Sequence, residues 1–175
     1  MTAVVLMTHA TQRAAWCAAV AKINRAHLEF WCERNEYPAA PFIKLSNKLD
    51  AYLKGELKSL ANLERFHAAF ADWRNDLPGD DNLAYRIAEL VCSALYSGVE
   101  AILDPECDDT VLLSANIEDL YQELASLSDH SDELQEYWLE IQQALNETLA
   151  DSKSTPISRD YFDLLKQVDT SLFGL

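Results

Sequence analysis

Glu64 and His67 are a pair of side chains whose spacing could support metal chemistry. Three residues apart on a helix they share one face, and paired Glu-x-x-His steps of this kind hold di-iron centres in ferritin-like bundles. Such a centre needs a second step, but none of His9, His27 or His130 has a glutamate three residues earlier. We therefore expect no metal cofactor. A metal-binding or carboxylate-using helical-bundle enzyme stays as an alternative function.

Four carboxylates lie close together in the segment 104–109 and suggest a calcium loop. An EF-hand that began at Asp104 would need glycine at its sixth position and a bidentate glutamate at its twelfth, where this chain has Asp109 and Ala115. Carboxylates that precede a helix and interact with its dipole are the simpler interpretation. Only weak divalent binding stays open for this segment.

No nucleophile motif is present either. The chain has no GxSxG elbow, and Cys17 and Cys92 lie in largely apolar stretches where a thiol usually packs. Together with Cys32 and Cys107 they form no CxxC pair, and Met1–Thr8 lacks the basic residues of an export signal. We therefore predict no catalytic residue, and reduced thiols in a cytoplasmic protein.

Composition and spacing predict helices throughout the chain. The 175 residues include only four glycines and five prolines, which leaves little material for phosphate-binding loops or repeated hairpins. Apolar residues recur at steps of three and four, and no apolar run approaches the length of a membrane span. We predict one all-α domain over residues 1–175, a single-domain bundle of about seven helices. Their expected positions are 11–34, from Pro41 to Leu53, from a cap at Asn62 to Leu77, 82–103 after a cap at Asp81, from Asp109 or Thr110, through Leu134 to Leu145, and after a cap at Ser158.

The helix expected at about 82–103 should be the buried centre of this bundle, because its polar residues fall on one narrow stripe. The first helix should turn Trp16, Phe30 and Trp31 toward the core. The expected inward residues of the last helix are Phe162, Leu165, Val168 and Leu172.

Charge is distributed unevenly along the chain. Residues 1–74 carry a net charge of +3, residues 75–175 carry −18, and the whole chain carries −15. Between Ile87 and Ser152 there are sixteen acidic residues and no lysine or arginine. Such a field repels nucleic acid and anionic membranes and steers a basic protein toward the surface. Excess carboxylates can also serve solubility alone, and the sequence leaves that interpretation open.

The fifth and sixth predicted helices carry the carboxylates that we expect to bind a partner. In the sixth, Leu134, Trp138 and Leu145 share one face, so the acidic residues on the opposite face should lie in solvent. The predicted partner-binding residues are Glu118, Asp119, Glu123, Asp132, Glu133, Glu136, Glu140 and Glu147.

The order of these features resembles the YjaG-like family of uncharacterised bacterial all-helical proteins, over about Gln12 to Leu165. The resemblance implies a helical bundle in a bacterial cytosol and supplies no known activity. One position departs from it, because the family tends to have an acidic residue where this chain has Leu90, beside Glu89. The residues that carry it are Leu63-Glu64-Arg65-Phe66, Leu77-Pro78, Asp80, Asp81, Tyr85 and the segment Ala88–Leu95.

The leading hypothesis is a non-enzymatic protein-binding module, similar to an immunity protein or another inhibitor, whose acidic face docks a basic, toxin-like protein. No cofactor, nucleic acid or membrane is expected as a partner. A homo-oligomeric structural domain, in which an exposed apolar patch serves self-association, is the third candidate.

Overall fold

A computed structural model describes residues 9–174, which form eight α-helices and no strand. The predicted all-α bundle is confirmed. Met1–Thr8, where we expect no export signal, lies outside the described residues. The helices are α1 (Ala10–Ile23), α2 (Arg25–Arg34), α3 (Ala40–Leu53), α4 (Leu60–Asn75), α5 (Leu83–Leu103), α6 (Thr110–Ala125), α7 (Ser131–Leu149) and α8 (Arg159–Gln167).

The first predicted helix is divided at Asn24, so the prediction of one continuous helix over 11–34 is wrong. Asn24 is completely buried. Its side-chain Nδ2 donates to Val20 O at 2.9 Å, and its Oδ1 accepts from Leu172 N at 3.0 Å. A buried amide needs partners for both atoms, and the folded-back C-terminal segment supplies one of them.

Helices α1 and α5 pack against each other at the centre of the bundle. The central position predicted for 82–103 is therefore shared with α1, whose residues 12–21 are all buried. Gly98 of α5 permits this contact, since an added Cβ would lie 3.3 Å from Ala14 O and 3.3 Å from Cys17 Cβ. Phe30 was predicted to face the core but is 52% exposed, so that prediction is wrong.

The helix caps lie close to the predicted positions but not always at them. Ser59, not Asn62, caps α4, because the Ser59 Oγ accepts from the backbone N–H of Asn62 at 3.1 Å. Asn82, not Asp81, caps α5. In both cases the cap is the residue with extended backbone immediately before the first turn. Ser158 caps α8, as predicted.

Helix α8 is anchored by Tyr161, which the sequence pattern did not select. Tyr161 is completely buried, and its hydroxyl donates to Ala15 O at 2.6 Å. Leu172 is buried as predicted, but it lies beyond the helix. The other members of the predicted inward stripe are only half-buried: Phe162, Leu165 and Val168.

Candidate protein-binding surface on helices α6 and α7

Helices α6 and α7 are held against the bundle by their apolar faces. On α6, Ile117 is completely buried and the Tyr121 hydroxyl donates to Leu172 O at 2.7 Å. On α7, the Trp138 ring lies 6.0 Å from the ring of Trp16 in α1. The two helices contact each other, and a short turn, 126–130, joins them. Their outward faces are therefore neighbours in solvent.

The eight predicted partner-binding residues all lie on these two helices, and we call them the acidic surface. Glu118 and Glu123 are half-buried on α6. The remaining six are exposed: Asp119, Asp132, Glu133, Glu136, Glu140 and Glu147. The apolar stripe of α7 predicted this outcome, since the faces of an amphipathic helix alternate with its 3.6-residue period.

Few cations balance the acidic surface. Arg86 of α5 forms an ion pair with Glu123, and His130 lies 3.6 Å from Glu133 through its Nδ1. Within residues 9–174, no other member of the surface forms an ion pair with lysine, arginine or histidine. The charge of Glu123 is thus locally compensated, and the six exposed carboxylates have no lysine or arginine partner in the part of the chain that the structure describes.

Exposed aliphatic side chains accompany these carboxylates. Leu139 is 43% exposed and lies at the edge of the buried stripe of α7, one turn from Glu136. Leu127, in the turn after α6, is 69% exposed. Our prediction omitted both residues. Their positions outside the apolar stripe could have identified them, because a large apolar side chain there has no core to enter.

His67 is not part of the proposed Glu64-x-x-His67 step. His67 is buried and its Nε2 lies 2.8 Å from Glu100 Oε1, whereas Glu64 is exposed. The Tyr96 ring covers the imidazole at a centroid distance of 4.4 Å. In the described part of the chain, no three His, Cys, Asp or Glu side chains are grouped so that they could hold a metal ion.

Carboxylates of the segment 104–109 accept hydrogen bonds from neighbouring protein groups. Asp108 Oδ1 accepts from both the backbone N–H and the hydroxyl of Thr110, at 3.0 Å and 2.6 Å. Asp109 Oδ2 accepts from Ser97 Oγ at 3.2 Å. The bonds of Asp108 to the first residue of α6 support the interpretation that an acid of this segment interacts with the helix terminus, whereas Asp109 makes no cap bond and contacts α5 instead.

The thiols are held in their protonated form. Burial raises the pKa of Cys92 to about 12 and that of Cys32 to about 11. Burial also raises the pKa of Cys17, to which Asp109 and Asp108 add. A nucleophilic cysteine needs a lowered pKa, so the arrangement around these three side chains favours packing over chemistry.

Comparison of the chain with protein-family models, curated proteins and solved structures gives no match. The resemblance to the YjaG-like family therefore stays a prediction. None of the helices between His9 and Gly174 combines the length and the apolar character needed to cross a lipid bilayer.

Proposed function

We propose that this protein is a non-enzymatic binding protein whose acidic surface docks a basic protein partner, as an immunity protein or another inhibitor docks a toxin. One observation carries the proposal. The six exposed carboxylates on α6 and α7 have no lysine or arginine partner among the described residues, and the exposed Leu139 lies one helical turn from one of them, Glu136.

The two kinds of side chain would contribute differently to docking. Exposed carboxylates attract a basic surface over about a Debye length, roughly 10 Å at moderate salt, and so raise the association rate. Leu139 acts only at contact, where its removal from water slows dissociation. A partner with lysines or arginines around an apolar patch matches both features.

The test is affinity capture from lysate and secreted proteins of the source organism, followed by surface plasmon resonance with the recovered protein. The acidic-surface variant is Glu136→Gln/Glu140→Gln/Glu147→Gln. The matched control, Glu33→Gln/Glu56→Gln/Glu64→Gln, removes three exposed carboxylates from the amino-terminal half. Both variants change the net charge equally, so only the location of the charge differs.

We expect the wild type and the control to retain the same basic protein at about 0.05 M salt and to lose affinity steeply by about 0.5 M. The acidic-surface variant should bind about tenfold more weakly, mainly through a lower association rate. Recovery of no basic protein, or equal binding by both variants, would overturn the proposal.

A further inference from the structure

A cleft of about 580 Å³ lies between the end of α1, the residue after α3, and α8 with the segment that follows it. Four cationic side chains line it: Lys22, Lys54, Arg159 and Lys166. We call this region the cationic cleft. Its volume lies within the range of small-molecule sites, about 300–1,000 Å³.

Most of the positive charge in the cleft is not neutralised by an ion pair. Lys22 pairs with Asp50 of α3. In the part of the chain that the structure describes, Lys54, Arg159 and Lys166 form no ion pair, and neither do the two carboxylates that line the cleft, Asp163 and Asp169. Four cations against two carboxylates give the lining of the cleft a net charge of +2, on a chain whose net charge is −15.

Part of the lining of the cleft is apolar, and we call this part its floor. Ile23, Phe162 and Leu165 line it and are half-buried. The Nζ atoms of Lys22 and Lys54 lie 5.7 Å and 5.3 Å from the centroid of the Phe162 ring, within cation–π distance. The ring therefore holds two ammonium groups beside a surface that an apolar group could cover.

Helix dipoles do not account for all of these cations. Lys22 and Lys166 lie in the last turns of α1 and α8, and Lys54 directly follows α3, where the negative end of each helix dipole favours positive charge. Arg159 is the first residue of α8, at the positive end, where a cation is disfavoured. Asp160, in the same first turn, offsets part of that cost, and an anion bound in the cleft would offset more by neutralising the guanidinium.

We propose that the cationic cleft binds a small organic anion with a doubly charged group, such as a phosphate monoester, and an apolar or aromatic body. The charged group contacts Lys54, Arg159 and Lys166, and the body lies along the Phe162 floor. The cations thus select for negative charge, and the apolar floor selects for an apolar body in the same ligand. The site is distinct from the acidic surface and does not rest on the function proposed above.

The test is a titration of the 15N-labelled full chain with phenyl phosphate, inorganic phosphate or phenol. Amide chemical shifts report the binding of each probe. We expect phenyl phosphate to shift the amides around Lys54 and Phe162 saturably. Inorganic phosphate and phenol should each bind about tenfold more weakly, since each satisfies one part of the site. No saturable shift with phenyl phosphate would overturn the proposal, and so would saturable shifts confined to other parts of the chain.

Paired variants separate a site from a general effect of charge. Lys54→Ala/Arg159→Ala removes two exposed cations of the cleft, and we expect about a tenfold loss of phenyl phosphate affinity. Lys58→Ala/Lys153→Ala removes two exposed cations that do not line it and should change the affinity less than about twofold. Equal losses in both variants would overturn the proposal. Binding to the Glu136→Gln/Glu140→Gln/Glu147→Gln variant should be retained, which keeps this result separate from the docking test.

Discussion

The acidic surface and the cationic cleft both concentrate charge, but they arrange it in opposite ways. The acidic surface comes from two consecutive helices and spreads its carboxylates in solvent, with aliphatic side chains exposed among them. The cleft gathers residues from distant parts of the chain above a half-buried apolar floor. A spread field acts before contact and suits the steering of a protein, whereas a concave cluster in a negative molecule acts at contact and suits a small anion.

Removal of the Tyr161 side chain should have the largest effect, and it should disrupt the cleft but not the acidic surface. Tyr161 is the one residue of α8 that is fully buried, and α8 forms one wall of the cleft. We expect Tyr161→Ala to lower the free energy of unfolding by about 3–5 kcal/mol and to abolish phenyl phosphate binding. Urea unfolding, monitored by circular dichroism, measures the change in the free energy of unfolding.

The control for this variant is Tyr161→Phe, which keeps the ring and loses only the hydrogen bond to Ala15 O. Its expected cost is about 1 kcal/mol, with the cleft retained. Below the melting temperature, Tyr161→Ala should still capture the basic partner. Loss of both binding activities in that variant would show that the two regions are not independent.

The same contrast explains what the sequence could predict. The acidic surface follows from local periodicity, because an apolar stripe on α7 leaves Glu136 and Glu140 on the other face. The cleft depends on contacts between residues far apart in the chain, such as those that bring Lys22 and Lys166 to one surface. The break at Asn24 also needs a distant partner, Leu172 N, which no local pattern encodes.

Leu139→Ala should weaken binding of the basic partner by about 1 kcal/mol, or about fivefold in Kd, and should leave the cleft unchanged. Its side chain is 43% exposed, so the free energy of unfolding should change by less than about 0.5 kcal/mol. Surface plasmon resonance with the captured partner should assign the loss to faster dissociation. Val111→Ala removes another exposed aliphatic side chain, from the first turn of α6, and serves as the control. Equal losses in both variants would contradict a specific role for Leu139.

A pH dependence should arise on the side of the molecule that carries the cleft. Burial lowers the pKa of His27, whose Nε2 lies 2.7 Å from the Oγ of Ser171, a residue that lines the cleft. The His27 imidazole therefore binds a proton more readily in the unfolded chain than in the folded one. Stability is lost as the pH falls below the ordinary histidine pKa of about 6.5. We expect the melting temperature of the wild type to fall more than that of His27→Gln between about pH 7.5 and about pH 5. Parallel curves for the two proteins would show that His27 is not the cause.

Arg86→Gln should produce the smallest effect, and it tests whether local compensation matters on the acidic surface. The pair that Arg86 forms with Glu123 is partly exposed, so its loss should lower the free energy of unfolding by about 1 kcal/mol or less. The variant leaves Glu123 unpaired and makes the surface more negative, so the association rate of a basic partner should rise about twofold at low salt and return to the wild-type value at high salt. Lys153→Gln makes the same change of net charge away from α6 and should leave the rate nearly unchanged. If Arg86→Gln slowed association instead, the guanidinium would itself contact the partner, and the docking surface would extend from α6 onto α5.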